Sequence, residues 1–233
     1  MSKIKGRSGG PSNLMKKLGS GEARKPQNPM TKSDLEMELR AGWIGLIALL
    51  AAIVMLFASF SSSFVDRVLQ GNLLELTPPP ALWVSTAVIL LSSMIAERAR
   101  AAARKGNWQG VRVNLGLTLA AGLVFVAAQY VAWMQLSRMG IYLQSNPHSS
   151  FFYFLSIMHV LHVLGGLVWL ILTLVRVTQM SAPLRLVDDP GRTSLTQSET
   201  REKRLTNSVG LCVTYWHFID VLWIYLFVLL FAL

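Results

Sequence analysis

The stretch Tyr215-Trp216-His217-Phe218-Ile219-Asp220-Val221-Leu222-Trp223 lies inside the last apolar run of the chain, which starts near Ser208 and continues to Leu233. A run of that length can cross a bilayer as a helix. His217, Asp220 and Trp223 follow one another at steps of three and so occupy neighbouring parts of one helical face. A charged group near the bilayer centre costs about 3 kcal/mol on insertion scales, so Asp220 is expected to meet a partner on another span. The fold has to supply that partner.

The rest of the composition agrees with a membrane setting. Of 233 residues, 52% are hydrophobic and 15% charged, and the mean hydropathy is +0.44. These values suit a polytopic membrane protein better than a water-soluble domain. The net charge of +10 is carried between apolar runs, so membrane topology accounts for it and no nucleic-acid partner is expected. The one cysteine, Cys212, leaves no internal disulfide and no zinc spacing. Residues 1–40 show no signal-peptide pattern, and the first span is expected to act as its own insertion signal.

In chain order, residues 1–40 read as a basic, flexible cytoplasmic tail. At its end Ser33 and Glu36 have the spacing of a capping box. A five-helix transmembrane domain is expected over 41–233, an all-α bundle with spans at about 41–60, 81–102, 111–134, 150–176 and 208–233. Pro78-Pro79-Pro80 closes the first loop. The apolar core of the second span is short, and helix is expected to continue past Glu97 with Arg98 and Arg100 snorkelling. Gly110, Gly116 and Gly122 suggest a small-residue stripe on the third span, and Gly165-Gly166 a packing notch on the fourth. Trp83, Trp108 and Trp133 fall near expected helix ends, as interface anchors do. The last loop, 176–207, reads as polar and irregular in its middle.

Twenty of the 22 Lys and Arg fall in 1–40, 97–112 and 176–207, every second inter-span segment. The positive-inside rule then places the N-terminus in the cytoplasm and the C-terminus in the periplasm. With the fourth and fifth spans antiparallel, His159 and His162 come to the depth of His217 and Asp220, at about 1.5 Å per residue. Three readings fit this set. Asp220 accepts a hydrogen bond from a histidine in a packing cluster. The set exchanges protons with water. His-x-x-His and His-x-x-Asp together hold a metal or a haem. The proton reading lacks a carboxylate from the other spans to extend a path.

Residues 215–223 closely resemble the last-helix signature of subunit III of haem-copper oxidases of the cytochrome c oxidase type. His159-Val160-Leu161-His162-Val163 followed by Gly165 is similar to the family's motif in the preceding helix. Leu115-Gly116 through Gln129 and Trp133, and Pro79 with Trp83, Thr86 and Leu90-Leu91-Ser92-Ser93, resemble the two helices before that. Order and spacing are kept over about 41–233, while the tail matches nothing in the family.

The resemblance implies the family's short, five-helix form, a non-catalytic subunit of the respiratory chain in a bacterial inner membrane. Such a subunit carries no haem or copper, which belong to partner subunits. It packs on the catalytic subunit I, alongside subunit II and others, binds phospholipid in a cleft, and supports proton uptake. One wall of that cleft belongs to two helices absent here. Trp216, Trp223, Gln129 and Trp133 are the signature residues. Three glutamates of the family's pattern are replaced, by Ile53, Ala132 and Gly210. The alternatives are a subunit III homologue of a quinol oxidase or nitric oxide reductase complex, or a small transporter using the His/Asp cluster.

Overall fold

The computed structural model describes residues 32–70, 80–140, 147–179 and 194–232. The chain divides into two units, Met1–Glu36 and Met37–Leu233. Of the first, residues 32–36 are described, and they form the start of helix α1. The remainder of the tail lies outside the described residues.

Five helices follow in order: α1 Lys32–Leu69, α2 Pro80–Arg104, α3 Trp108–Arg138, α4 Pro147–Gln179 and α5 Ser194–Ala232. No strand occurs among the described residues, and all five helices are long and apolar enough to cross a membrane.

Each helix is longer than the sequence reading allowed. Ser33, expected as a cap, already lies inside α1. The first loop, expected from residue 61, begins only after Leu69. Ser61 and Phe64 are buried one turn apart, and the Phe64 ring meets Phe151 of α4 at 5.7 Å, so the apolar face outlasts the polar run 61–63. Residues 194–207, expected as loop, are the first turns of α5. Glu199 and Lys203 stand at the helix-favouring i,i+4 spacing. Arg204 and Asn207 tie this part of α5 to α1, Arg204 to Glu38 at 2.6 Å and Asn207 to the Trp43 indole at 2.8 Å.

Helices α2 and α3 form an antiparallel hairpin. Their buried residues are Leu82, Ser85, Ile89, Ser92, Ala96, Ala99 and Ala103 on α2, and Val111, Leu115, Thr118, Gly122, Phe125, Gln129, Ala132 and Leu136 on α3. Steps of three and four alternate, the 3.5-residue repeat of a left-handed coiled seam. Small side chains at many of these positions let the two backbones approach. The expected glycine stripe at steps of six is not the seam. Six residues make about 1.7 turns, so successive members leave the face. A Cβ added at Gly116 would meet nothing within 4 Å, whereas one at Gly122 would strike Leu167 and Trp216 at 2.7 Å.

The connection between α2 and α3 is Lys105-Gly106-Asn107. Gly106 takes φ 68°, and its N–H donates to Ala103 O at 3.1 Å, closing α2. Asn107 Oδ1 accepts from Gly110 N at 3.0 Å and caps α3. Gly106→Ala is expected to destabilise the chain by about 1–2 kcal/mol, the cost of the left-handed region for an L-residue. Thermal unfolding in detergent measures it, and an unchanged Tm would refute it.

Helix α5 packs on both α4 and α2, α4 packs on α3, and α3 returns to α2, which closes a ring of four helices. Helix α1 stands apart: no other helix brings a Cα within 8 Å of it. It touches the ring through side chains, Phe57 with His162 at 5.6 Å and Phe60 with Phe154 at 4.6 Å between ring centroids. The basic ends of α2 and α5 lie together at one end of the ring, with Arg100 of α2 reaching Thr214 of α5.

Candidate functional site

Helix α5 carries its polar residues against the hydroxyl-bearing face of α2. Thr86, Ser92 and Ser93 of α2 come at helical spacing, and the antiparallel register sets them opposite residues 216–223. The Trp216 indole N–H donates to Ser92 Oγ at 3.0 Å, and the Trp223 indole N–H to Thr86 Oγ1 at 3.0 Å. Both belong to the stretch that carries the family resemblance, and each joins the same pair of helices. A buried indole N–H needs an acceptor, and in lipid no water supplies one.

His217 meets α2 just beyond the Trp216 bond, on the side of the basic end. Its Nε2 is 3.2 Å from Glu97 Oε2, and its Nδ1 shares a 2.5 Å hydrogen bond with Ser93 Oγ. With Nε2–H donating to the carboxylate, Nδ1 of the neutral ring accepts from the serine O–H. Glu97 also faces Arg100 at 3.5 Å, and Arg100 donates to Thr214 Oγ1 at 2.9 Å. The Glu97 side chain is 51% exposed and that of His217 33%, so one end of this chain of contacts reaches the surface. At the other end Asp220, three residues past His217 on α5, is 2% exposed. Arg100, Glu97, His217, Ser93 and Asp220 therefore climb from the basic end of the bundle into its interior.

This ladder departs from the cluster expected of the sequence. Asp220 accepts no hydrogen bond from a histidine: neither of its oxygens has a bonded partner among the described residues. Glu97, placed by the sequence beyond the apolar core, is the carboxylate that the proton reading lacked. Continuation of α2 past it makes the contact.

His159 is fully buried and boxed by rings, Trp223 at 5.1 Å and Phe125 at 5.8 Å, and neither ring nitrogen is bonded among the described residues. His162 turns to its own helix, Nδ1–H donating to Met158 O at 2.6 Å. Among the described residues no group of three or more His, Cys, Asp or Glu could hold a metal ion.

Trp133 and Gln129, also singled out by the resemblance, lie on α3. The Trp133 indole N–H donates to Ser156 Oγ at 3.1 Å, a tie between helices rather than a headgroup anchor. Trp83, by contrast, is 59% exposed. Gln129 is fully buried with its amide unpaired among the described residues. Ile53 and Ala132, at two of the replaced glutamate positions, are buried apolar residues, and Gly210 lies beside the Trp43 ring. Gly166 is the expected notch: a Cβ there would meet Tyr215, Ile219 and Trp216 at 3.1–3.3 Å. Tyr215 donates its hydroxyl to His162 O at 3.0 Å beside it.

Ser93 and Glu97 are the site residues that the sequence reading missed as partners. Ser93 was visible as part of the Leu90–Ser93 run, but only the register of α2 on α5 says whom it meets.

No protein-family model matches the chain. It is similar to the cytochrome c oxidase subunit 3 of Corynebacterium diphtheriae, 29% identical over 177 residues that cover 74% of this chain and 77% of the relative. The probable cytochrome c oxidase subunit 3 of Mycobacterium tuberculosis strain H37Rv is 30% identical over 195 residues, 81% of this chain and 86% of that protein. That of Nocardia farcinica is 32% identical over 191 residues, 79% and 84% of the two chains.

Proposed function

The chain belongs to the cytochrome c oxidase subunit III family, and on that premise we propose that it stabilises the catalytic subunit I of its complex and supports proton uptake. It is a multi-pass membrane protein and an oxidase subunit. We place it in a bacterial inner membrane, N-terminus in the cytoplasm, on the bias of Lys and Arg toward alternate segments. Haem and copper reside on its partners, subunits I and II, and this chain contributes no redox centre.

The observation that carries the proton reading is the chain of contacts from Glu97 through His217 to Ser93, with the buried Asp220 about one turn farther along α5. An ionisable side chain at membrane depth persists where it serves a path or a partner. Glu97, half exposed at the basic end, collects protons. For inward transfer the ring takes its other tautomer, in which Nε2 accepts the proton of Glu97 while Nδ1–H passes one to Ser93 Oγ, and the Ser93 hydroxyl proton moves on. Ser93 relays, and the buried Asp220 carboxyl stores. The exposed side of this ladder, between α2 and α5, is where a neighbouring subunit would close it from lipid.

Affinity purification of the tagged chain from its native membrane tests the assembly. It is expected to bring down a haem-containing partner, while the chain produced alone shows no Soret absorption. Purification without any haem protein, or a stoichiometric haem in the isolated chain, refutes the reading.

A further inference from the structure

Buried hydroxyls along the ring of helices find protein partners. Thr86 Oγ1 accepts from Trp223 and donates to Leu82 O at 2.8 Å. Ser92 Oγ accepts from Trp216 and donates to Ile89 O at 2.8 Å. Ser156 Oγ accepts from Trp133 and donates to Tyr153 O at 3.1 Å. Three larger polar side chains differ. Gln129 of α3, His159 of α4 and Asp220 of α5 are at most 2% exposed, and their six polar atoms have no bonded partner among the described residues.

The ring contacts set these three at neighbouring levels. His159 meets Trp223 at 5.1 Å and Phe125 at 5.8 Å, and Phe125 meets Trp223 at 5.2 Å. Asp220 precedes Trp223 by three residues, about 4.5 Å along α5. Gln129 follows Phe125 on the buried stripe of α3, four residues or about 6 Å farther on. Four residues past Gln129, Trp133 donates to Ser156, which is one turn from His159 on α4. Two α3–α4 contacts thus bracket Gln129 at the level of His159. The next residue of the stripe, Ala132, adds only a methyl group there. Asp220, His159 and Gln129 follow one another inward at steps of about one turn.

An amide, an imidazole and a carboxyl without partners are costly inside a bundle. A metal ion would need more ligating groups than Asp220 and His159 supply. An apolar occupant would leave all six atoms unpaired. Water donates two hydrogen bonds and accepts two, and so serves all three kinds of group. One water bridges polar atoms about 5.5 Å apart, close to the step between these side chains. We propose that the bundle encloses a short file of ordered water molecules bridging Asp220, His159 and Gln129. Water enters from the side of His217, which is partly exposed one turn before Asp220. The inference goes beyond the proton reading, because the unpaired atoms call for water whether or not Glu97 and His217 move protons.

X-ray radiolysis of the full chain in mild detergent tests it. Hydroxyl radicals made from bound water label the rings beside it, and a heavy-oxygen isotope in the solvent water marks the source of the label. Phe125 and Trp223 are expected to be labelled about tenfold faster than Phe152, an equally buried ring outside this cluster, as expected of a hydrated against a dry interior. The variant Gln129→Leu/His159→Leu/Asp220→Leu is expected to bring both rings to the rate of Phe152, because an apolar site stays dry. Asp220→Asn, which keeps two polar atoms at its position, is expected to label like the unaltered chain, and a loss there would count against the file. Labelling of Phe125 and Trp223 at the Phe152 rate in the unaltered chain overturns the proposal, an outcome that needs no variant to fold. Equal labelling in the triple-leucine variant also overturns it, since radicals would then reach the rings through opening of the bundle. None of these measurements involves a haem protein or proton movement, so their failure stands apart from the capture of a partner.

Discussion

Trp216→Ala is expected to lower the unfolding transition of the detergent-purified chain by about 10 °C, the scale of a 3–5 kcal/mol loss in a protein of this size. The indole is fully buried and touches all four helices of the ring. It belongs to α5 and donates to Ser92 of α2. Its ring atoms fill the space a Cβ would take at Gly122 of α3 and at Gly166 of α4. Removing it leaves a cavity bounded by backbone, which cannot collapse without moving whole helices. Ser92 would lose its partner at the same time. Gly122→Val should show the converse fault, since the added side chain would begin with a Cβ 2.7 Å from both Trp216 and Leu167, and overpacking costs about 1–3 kcal/mol. Trp216→Phe, which keeps much of the volume and loses the N–H, should fall between wild type and Trp216→Ala. A Trp216→Ala chain with the wild-type transition would remove this residue from the centre of the account.

His217→Phe, in the assembled oxidase, is expected to slow proton uptake by about a hundredfold, the lower end of the range for removing a positioned proton-transfer group. Haem content and subunit composition should stay as in the unaltered complex. The ring volume is kept and the residue is a third exposed, so little packing is lost. Both links, to Glu97 and to Ser93, disappear. Asp220→Asn should give a similar slowing with oxygen reduction still measurable. The amide has the shape of the carboxyl, and no bonded partner of Asp220 among the described residues is forfeited. Proton release and uptake followed with a pH-indicating dye in vesicles separates these outcomes. Wild-type uptake in a fully assembled His217→Phe complex would return the ladder to a packing role. Loss of subunits from the Asp220→Asn complex would instead restore the packing reading of Asp220.

Much of this molecule is legible before any coordinates. Five apolar runs separated by alternately basic segments state the number of spans, because neither apolar nor charged side chains have an alternative place in a bilayer. The helix ends were less legible. Residues 61–69 and 194–207 have loop-like composition, yet burial of Phe64 and the anchoring of Arg204 and Asn207 on α1 hold them helical. At the site, His217 and Asp220 announce themselves by being ionisable inside a span. Their partners do not. His159 and His162 were the expected ones because they share the right depth, but depth says nothing of rotation about a helix axis. His159 faces Trp223 and Phe125, His162 bonds its own helix, and His217 turns to α2.

The class, the number of spans and the side chains of the last helix that are too costly to be idle follow from transfer energies of single residues, and so can be read along one chain. That residues 215–223 lie on α2, with Trp216 at the meeting of four helices and His217 between Glu97 and Ser93, emerges from the packing of the helices. That choice depends on the register and rotation of two antiparallel helices. Both are set by how Gly122, Gly166 and the hydroxyls of α2 accommodate two indoles, a property of several helices at once and of none alone.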